Sequence, residues 1–296
     1  MEWSRKWFEP CRSVLREGVA LAPLSHIRIG GSACVFVEPW SEEDAAAVVR
    51  VCLEHGLPWR VLGGGSNILV ADEGIDAVVI YLGGWNRVER DGRNLIASAG
   101  ASLPSLLRRS RETKLSGLEG LIGIPAQVGG AVAMNAGTHV TETFDRIVQL
   151  RVIDEFGELR ELERDALRPS YRNGNLGDVV VTRATFELED ERPAEVDERM
   201  KELLLRRNAS QPVTQRSVGC IFKNPEEEAA GALIQAAGLM GERVGDIEVS
   251  TKHANYFVNT GHGTARQLLD LVERVQERVR DHAGVELELE VQLWGF

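Results

Sequence analysis

The sequence predicts an α+β protein of two or three domains. Three observations carry that expectation. A strand–helix–strand pattern occupies residues from about Ser25 to Tyr81, strand-like runs with one helix among them fill residues 95–187, and an amphipathic helix is followed by an alternating strand near the C-terminal end. At 296 residues the chain can bury a sizeable core. Its 43% hydrophobic and 27% charged content is ordinary for a globular protein.

In chain order, Ser41 followed by Glu42-Glu43-Asp44 opens a helix with a capping hydroxyl and early acids; Ala45 to Leu53 give its apolar face and Gly56 ends it. The strand Trp59 to Leu62 comes next. Further strands are expected at Leu95 to Ser98, Ile147 to Ile153 and Val179 to Glu187, with a helix near Ser105 to Arg111. Residues Glu189 to Arg207 are strongly charged around a helical run at Met200 to Leu205, and this composition shift marks a domain boundary. Thr264 caps the last helix, whose apolar face is Leu268, Leu271, Val272, Val275 and Val279, and Gly284 closes it. Val285, Leu287, Leu289, Val291 and Leu293 then alternate with Glu286, Glu288, Glu290 and Gln292, the pattern of a half-buried strand.

Two glycine-rich stretches suggest ligand binding. Gly63-Gly64-Gly65-Ser66-Asn67 lies between two strand-like runs, and its bare amides suit a diphosphate cradle or, equally, a glycine hairpin. The apolar segment Gly120 to Gly137 fits burial against a large flat ligand or a glycine-lined core loop.

Several classes are disfavoured. A net charge of −11 argues against a nucleic-acid binder. The charged start, Met1 to Pro10, lacks the apolar core of an export signal, and no apolar run is long enough to span a bilayer, so a cytoplasmic protein without membrane partners is expected. Cys11, Cys34, Cys52 and Cys220 are widely spaced, which suggests reduced thiols and no metal, with Cys34 and Cys52 as small buried hydrophobes. Neither a G-x-G-x-x-G after a strand nor a P-loop Lys-Ser/Thr pair is present, and no H-E-x-x-H suggests zinc.

The segment Gly219-Cys220-Ile221-Phe222-Lys223-Asn224-Pro225 places a thiol, a cation and an amide close together. Taken with the glycine turn, Gly123-Ile124-Pro125, Val128-Gly129-Gly130, Tyr171-Arg172, His253-Ala254-Asn255-Tyr256 and Leu287-Glu288-Leu289-Glu290-Val291, it resembles the UDP-N-acetylenolpyruvoylglucosamine reductases (UDP-N-acetylmuramate dehydrogenases) over roughly Leu24 to Gly295. The resemblance implies a two-part FAD-binding fold of the vanillyl-alcohol-oxidase (PCMH-like) type with a separate C-terminal α+β substrate-binding domain. It divides the chain into an extension over 1–23 without assigned role, FAD-binding subdomains over 24–85 and 86–190, and a substrate-binding domain over 191–296. Implied cofactors are FAD and, as hydride donor, NADPH. The implied partner is a UDP-sugar substrate, and a monomer is compatible with the chain.

Residue by residue, the resemblance implies FAD contacts at Arg60, Leu62, Gly63, Gly64, Gly65, Ser66 and Asn67, at Ile124, Pro125, Gly129 and Gly130, and at Asn135, Ala136 and Gly137. Tyr171, Lys223 and Asn224 would contact substrate. Arg172, Cys220 and Glu290 form the implied catalytic set. Hydride addition to the enolpyruvyl ether leaves negative charge at C2 and its carboxylate, which a guanidinium can grip with two parallel bonds. A thiol, with an ordinary pKa of about 8.5, suits protonation of C2. Glu290 orients substrate and Arg172 or assists proton delivery, although alternation alone does not separate it from Glu286 and Glu288 on the same strand face. His253 and Asn255 read as loop-stabilising.

This chain departs from the family pattern at Ala126-Gln127, at Thr138-His139-Val140, at Met240, at Asp246-Ile247-Glu248, and at Asn173-Gly174, where a serine hydroxyl is usual in place of Gly174. It also resembles the shorter class, without an extra substrate-covering loop. Two further readings accommodate the same scaffold: another FAD-dependent oxidoreductase, and a non-catalytic sugar-nucleotide or flavin binder.

Overall fold

The Ser41 hydroxyl accepts from the Asp44 N–H at 3.2 Å and starts helix α1 (Glu42–Glu54). Ala45, Ala46, Val48, Val49 and Cys52 are its buried stripe, packed with Phe8, Val35, Val37, Val78 and Ile80. In the computed structural model, which describes all 296 residues, α1 belongs to the first of two units, formed by Met1–Gly18, Cys34–Gly64 and Asp76–Leu205. The second comprises Val19–Ala33, Gly65–Ile75 and Arg206–Phe296.

Two sheets organise the first unit. Strands β1 (Val14–Ala20), β2 (Ser32–Glu38), β5 (Ile75–Tyr81) and β3 (Trp59–Leu62) lie in that order. β3 pairs parallel to β5, so the two strands flanking α1 are not neighbours. The other sheet is antiparallel, in the order β10 (Leu159–Glu163), β9 (Ile147–Ile153), β11 (Val180–Glu187), β7 (Asn94–Ser98) and β6 (Val88–Asp91). Its core takes Leu103, Leu106 and Leu107 from α2 (Leu103–Glu112) and Val128, Ala131 and Val132 from α3 (Val128–Ala133). β3, β7, β9, β11, α1 and α2 fall within a residue or two of the expected ranges, whereas β1, β6, β10 and the short helix α3 within the glycine-rich segment are additional to them.

The N-terminal extension has a structural role. Phe8 is 5% exposed in the α1 core. The buried Asp44 carboxylate accepts from the Arg12 N–H (2.7 Å), the Ser13 hydroxyl (2.7 Å) and the Trp40 N–H (3.0 Å), so one side chain ties the extension to the start of α1. Nearby, burial pushes the Cys11 thiol up to about 11 and the Cys52 thiol up to about 12, which leaves both poor nucleophiles.

The charged stretch after Glu187 is ordered. β12 (Glu189–Asp190) pairs with β8 (Leu115–Ser116), and α4 (Pro193–Ser210) extends the short helical run that its hydrophobic residues suggest. Arg199 forks onto Glu191 at 2.6 and 2.7 Å and reaches the buried Glu119 at 3.2 Å.

The second unit has an antiparallel sheet in the order β13 (Ser217–Cys220), β16 (Tyr256–Asn259), β15 (Ile247–Val249) and β14 (Arg243–Val244). Its core joins Phe222 and Phe257 to α5 (Ala230–Ala236) and α6 (Ala265–Ala283) through Leu233, Ile234 and the five apolar residues read from the α6 pattern. Thr264 and Gln267 form a capping box. Asp72 adds a second cap, accepting from the Ala265 and Arg266 N–H groups at 2.8 and 3.1 Å.

Three expectations are corrected. The glycine turn is not a hairpin, because β4 (Ile68–Val70), which follows it, pairs parallel with β17 (Gln292–Trp294), whereas β3, before it, lies in another sheet. The strand read over Val285 to Leu293 is interrupted: Leu289 makes one isolated bridge to Phe222, and the regular ladder begins only at Gln292. Alternation holds from Val285 to Glu288, is lost at the half-buried pair Leu289 and Glu290, and after Val291 reverses, leaving Leu293 38% and Trp294 4% exposed. Cys34 is half-buried where full burial is expected.

Candidate active site

In the first unit, Gly63 and Gly64 lie against the second glycine-rich segment. A Cβ on Gly64 would stand 3.4 Å from the Gln127 amide nitrogen and 3.5 Å from the Pro125 carbonyl; one on Gly63 would be 3.8 Å from Gly130 Cα. The two motifs singled out in the sequence are thus brought together. Val128 and Gly129 N–H donate to Ala101 and Ala99 carbonyls, both at 2.8 Å, fixing the approach to α3. No backbone carbonyl accepts from Gly63 or Gly64 N–H, and a Cβ on Gly130 would meet open space. Backbone amides beside a side-chain-free surface fit an FAD diphosphate and its flat ring system.

Beyond α3, Asn135 is 1% exposed and has φ +42°. Gly137 bridges to Glu142, and a Cβ there would come within 2.7 Å of Glu142 Cα. Tyr171 and Arg172 occupy a turn whose ends, Ser170 and Asn173, exchange both backbone hydrogen bonds at 2.8 and 3.1 Å. Arg172 takes the left-handed backbone, φ +56°, and its Cζ sits 4.9 Å over the Tyr171 ring, which is 45% exposed.

In the second unit, Gly65 is required by packing: at φ +66° its Cβ would fall 2.1 Å from the Leu24 carbonyl oxygen. The Gly65 and Asn67 carbonyls accept from His26 N–H (2.9 Å) and Gln292 N–H (3.0 Å). The amides of Gly65, Ser66 and Asn67 donate to no backbone carbonyl. Asn67 Nδ2 donates to the Glu290 carbonyl at 3.1 Å, joining the glycine turn to the segment that carries Glu290.

Cys220 follows a bulge. Ser217 pairs with Val258 and Cys220 with Tyr256, so β13 spends one residue more than β16 over this interval. Gly219 absorbs it at φ +81°, and such a bulge re-aims the side chain that follows. Asn255, 1% exposed, clamps the adjacent Phe222 peptide, accepting from its N–H at 2.9 Å and donating to its carbonyl at 2.8 Å. The Glu290 N–H donates to the Ile221 carbonyl at 2.8 Å, which brings Glu290 alongside Cys220. Glu290 is half-buried while Glu286 and Glu288 are exposed. That difference separates three acids that the alternation could not.

Sequence reasoning passes over Tyr256 as a member of this cluster. Its phenol, 7% exposed, donates to Gln211 Oε1 at 3.0 Å and meets His253 edge-on at 4.9 Å. Burial pushes it above the ordinary tyrosine range; Cys220 and Glu290 add to the rise, and Arg207 opposes it. Tyr256 therefore stays a neutral phenol among the candidate catalytic groups. Only its strand register opposite Cys220 signals the role, and register is not visible in sequence. Lys223 pairs with Glu288, and Asn224 Oδ1 accepts from the Ala230 N–H at 3.1 Å.

The fold and site define an FAD-binding oxidoreductase with a separate C-terminal domain. Residues 33–163 match an FAD binding domain, and residues 211–294 match the C-terminal domain of UDP-N-acetylenolpyruvoylglucosamine reductase. The chain is 42% identical over 271 residues to the UDP-N-acetylenolpyruvoylglucosamine reductase of Moorella thermoacetica, with 90% of this chain and 89% of that protein covered. It is 38% identical over 283 residues to that of Clostridium novyi, covering 95% and 92%. The crystal structure of the corresponding enzyme from Thermus caldophilus superposes with a TM-score of 0.83 at 37% identity, covering 96% of this chain and 99% of that one. A likeness of fold alone extends to BBE-like 1 of Physcomitrella patens, with a TM-score of 0.51 and 15% identity over 93% of this chain and 59% of that one. The chain belongs to the UDP-N-acetylenolpyruvoylglucosamine reductase family.

Proposed function

We propose that this FAD enzyme uses NADPH to reduce UDP-N-acetylenolpyruvoylglucosamine to UDP-N-acetylmuramate, a peptidoglycan precursor, in the cytoplasm. The observation that carries the reading is the placement of a half-buried Glu290 beside the Cys220 strand end by the Glu290–Ile221 backbone bond. No helix is long and apolar enough to cross a membrane, and the substrate is a water-soluble nucleotide sugar.

FAD, when bound, supplies a two-electron carrier between NADPH and the substrate. In this reading Arg60, Leu62, Gly63, Gly64, Gly65, Ser66 and Asn67, with Ile124, Pro125, Gly129, Gly130 and the backbone of Asn135, Ala136 and Gly137, hold it. The amides of Gly63 to Asn67, which donate to no backbone carbonyl, and the open space above Gly130 support the glycine part of that assignment. Arg172 grips the enolpyruvyl carboxylate as charge builds at C2, and the left-handed turn projects its guanidinium beside the exposed Tyr171 ring. The Cys220 thiol gives its proton to C2. Glu290 assists that delivery, and Lys223 and Asn224 meet the diphosphate or sugar. Lys223 would exchange its exposed ion pair with Glu288 for the ligand at little cost, since such surface pairs are worth about 0–1 kcal/mol. The substrate domain is assigned to residues 191–296 and the FAD subdomains to 24–85 and 86–190.

The deciding experiment follows the visible flavin spectrum of the purified protein without oxygen. NADPH should bleach it, and UDP-N-acetylenolpyruvoylglucosamine should then restore it. Bleaching without restoration would reject the substrate. Failure to bind FAD would reject the whole reading.

A further inference from the structure

We propose that Asn135 is a positioning residue for the substrate-gripping turn, its side-chain amide holding Tyr171 and Arg172 in place. The inference rests on the reading of Arg172 as the carboxylate grip. All the side-chain bonds the structure gives Asn135 go to protein. Its Nδ2 donates to Glu142 Oε2 at 2.7 Å and to the Ser170 carbonyl at 3.1 Å, and its Oδ1 accepts from the Phe144 N–H at 3.3 Å. At 1% exposure the Asn135 amide itself is shielded from water, so leaving it unpaired is costly, although its partner Ser170 is exposed and Glu142 half-buried. Only an amide of this length offers two donors and an acceptor at one point.

The Ser170 carbonyl is one gatepost of the turn. The other is Gly174, whose N–H donates to the Ala133 carbonyl at 2.9 Å and whose Cβ, if present, would stand 2.5 Å from the Val132 carbonyl oxygen. Asn175 braces the same loop, donating to Arg168 O at 2.7 Å and Ser170 Oγ at 3.0 Å. The turn is therefore pinned at one end to Asn135, two residues beyond α3, and at the other to Ala133, the last residue of α3, and Arg172 sits at its tip in a left-handed backbone uncommon for residues other than glycine.

The test isolates one bond. Asn135→Asp combined with Glu142→Gln exchanges amide and carboxylate, so the 135–142 and Phe144 bonds persist while the donor to Ser170 is lost. Glu142→Gln alone keeps that donor. Each protein is measured for FAD content, for flavin reduction by NADPH, and for the saturated rate of flavin reoxidation by UDP-N-acetylenolpyruvoylglucosamine. The double variant should keep FAD and its NADPH step but slow reoxidation about 10- to 100-fold, the scale of a roughly 1 Å misplacement. Glu142→Gln should match the parent. Gly174→Ala, which displaces the other end of the turn, should show the same selective loss. Parent-like reoxidation in both turn variants, or loss of FAD from the double variant, would overturn the positioning role. Arg172→Ala separates this failure from that of the underlying reading: if its reoxidation is unimpaired, the carboxylate grip itself is wrong.

Discussion

Cys220 is the residue whose replacement speaks most directly to the chemistry. Cys220→Ala should slow the enolpyruvyl half-reaction by about 10²- to 10⁴-fold, the usual contribution of a positioned acid, while flavin reduction by NADPH continues. Cys220→Ser should retain measurable turnover. Single-turnover absorbance measurements resolve the two steps, and unchanged reoxidation in Cys220→Ala would remove the thiol from the mechanism. At this scale the sequence was legible where a short motif concentrates reactive types, as in Gly219 to Pro225. It was silent where identity depends on distant partners. Glu290 differs from Glu286 and Glu288 in burial, and burial depends on where the chain crosses Ile221. The Asn135 bond to Ser170 spans 35 residues and leaves no local trace.

Helices were the most readable elements because their signals are local. Ser41 and Thr264 cap where expected, and Gly284 ends α6 at φ +70°. Residues 285–293 were less readable, because alternation reports which side is buried but not whether a partner strand lies alongside. α4 was partly hidden by its charges, which attach it to the first unit through Arg199. Two hydrogen bonds from Arg199 hold the Glu191 carboxyl down to about 2. A depressed folded pKa stabilises above the unfolded value and loses that contribution as pH falls through the folded one. Glu191→Gln should therefore cost up to about 1 kcal/mol near neutrality, as befits a partly exposed pair. The gap from the parent should close as pH drops from about 4.5 toward 2. Urea unfolding across that range checks it, and a gap independent of pH would refute the linkage.

For the whole molecule, interleaving was the property least visible in sequence. The second unit draws on Val19–Ala33 and Gly65–Ile75 as well as the C-terminal segment. Ile27, Ile29 and Leu69 belong to its core, β4 is the only ladder partner of β17, and Asp72 caps α6. A fragment of residues 206–296, although it contains the whole matched C-terminal domain, should therefore fail to fold cooperatively. Poor amide dispersion in its NMR spectrum is the expected result; a dispersed spectrum with a sharp thermal transition would show that the C-terminal core suffices. Composition shifts mark where a chain changes character, as at Glu189, but carry no record of earlier segments returning to complete a later core.

The three adjacent glycines of the turn answer to different constraints. Side chains at Gly63 and Gly64 would meet neighbours only at ordinary contact distances, whereas one at Gly65 would collide with the Leu24 carbonyl whether or not a ligand is present. In a lineage that abandoned its flavin, the first two positions would be released to drift and the third would persist as a fossil of the fold. A surviving third glycine is thus poor testimony to a living cofactor site; an intact pair before it is the better witness.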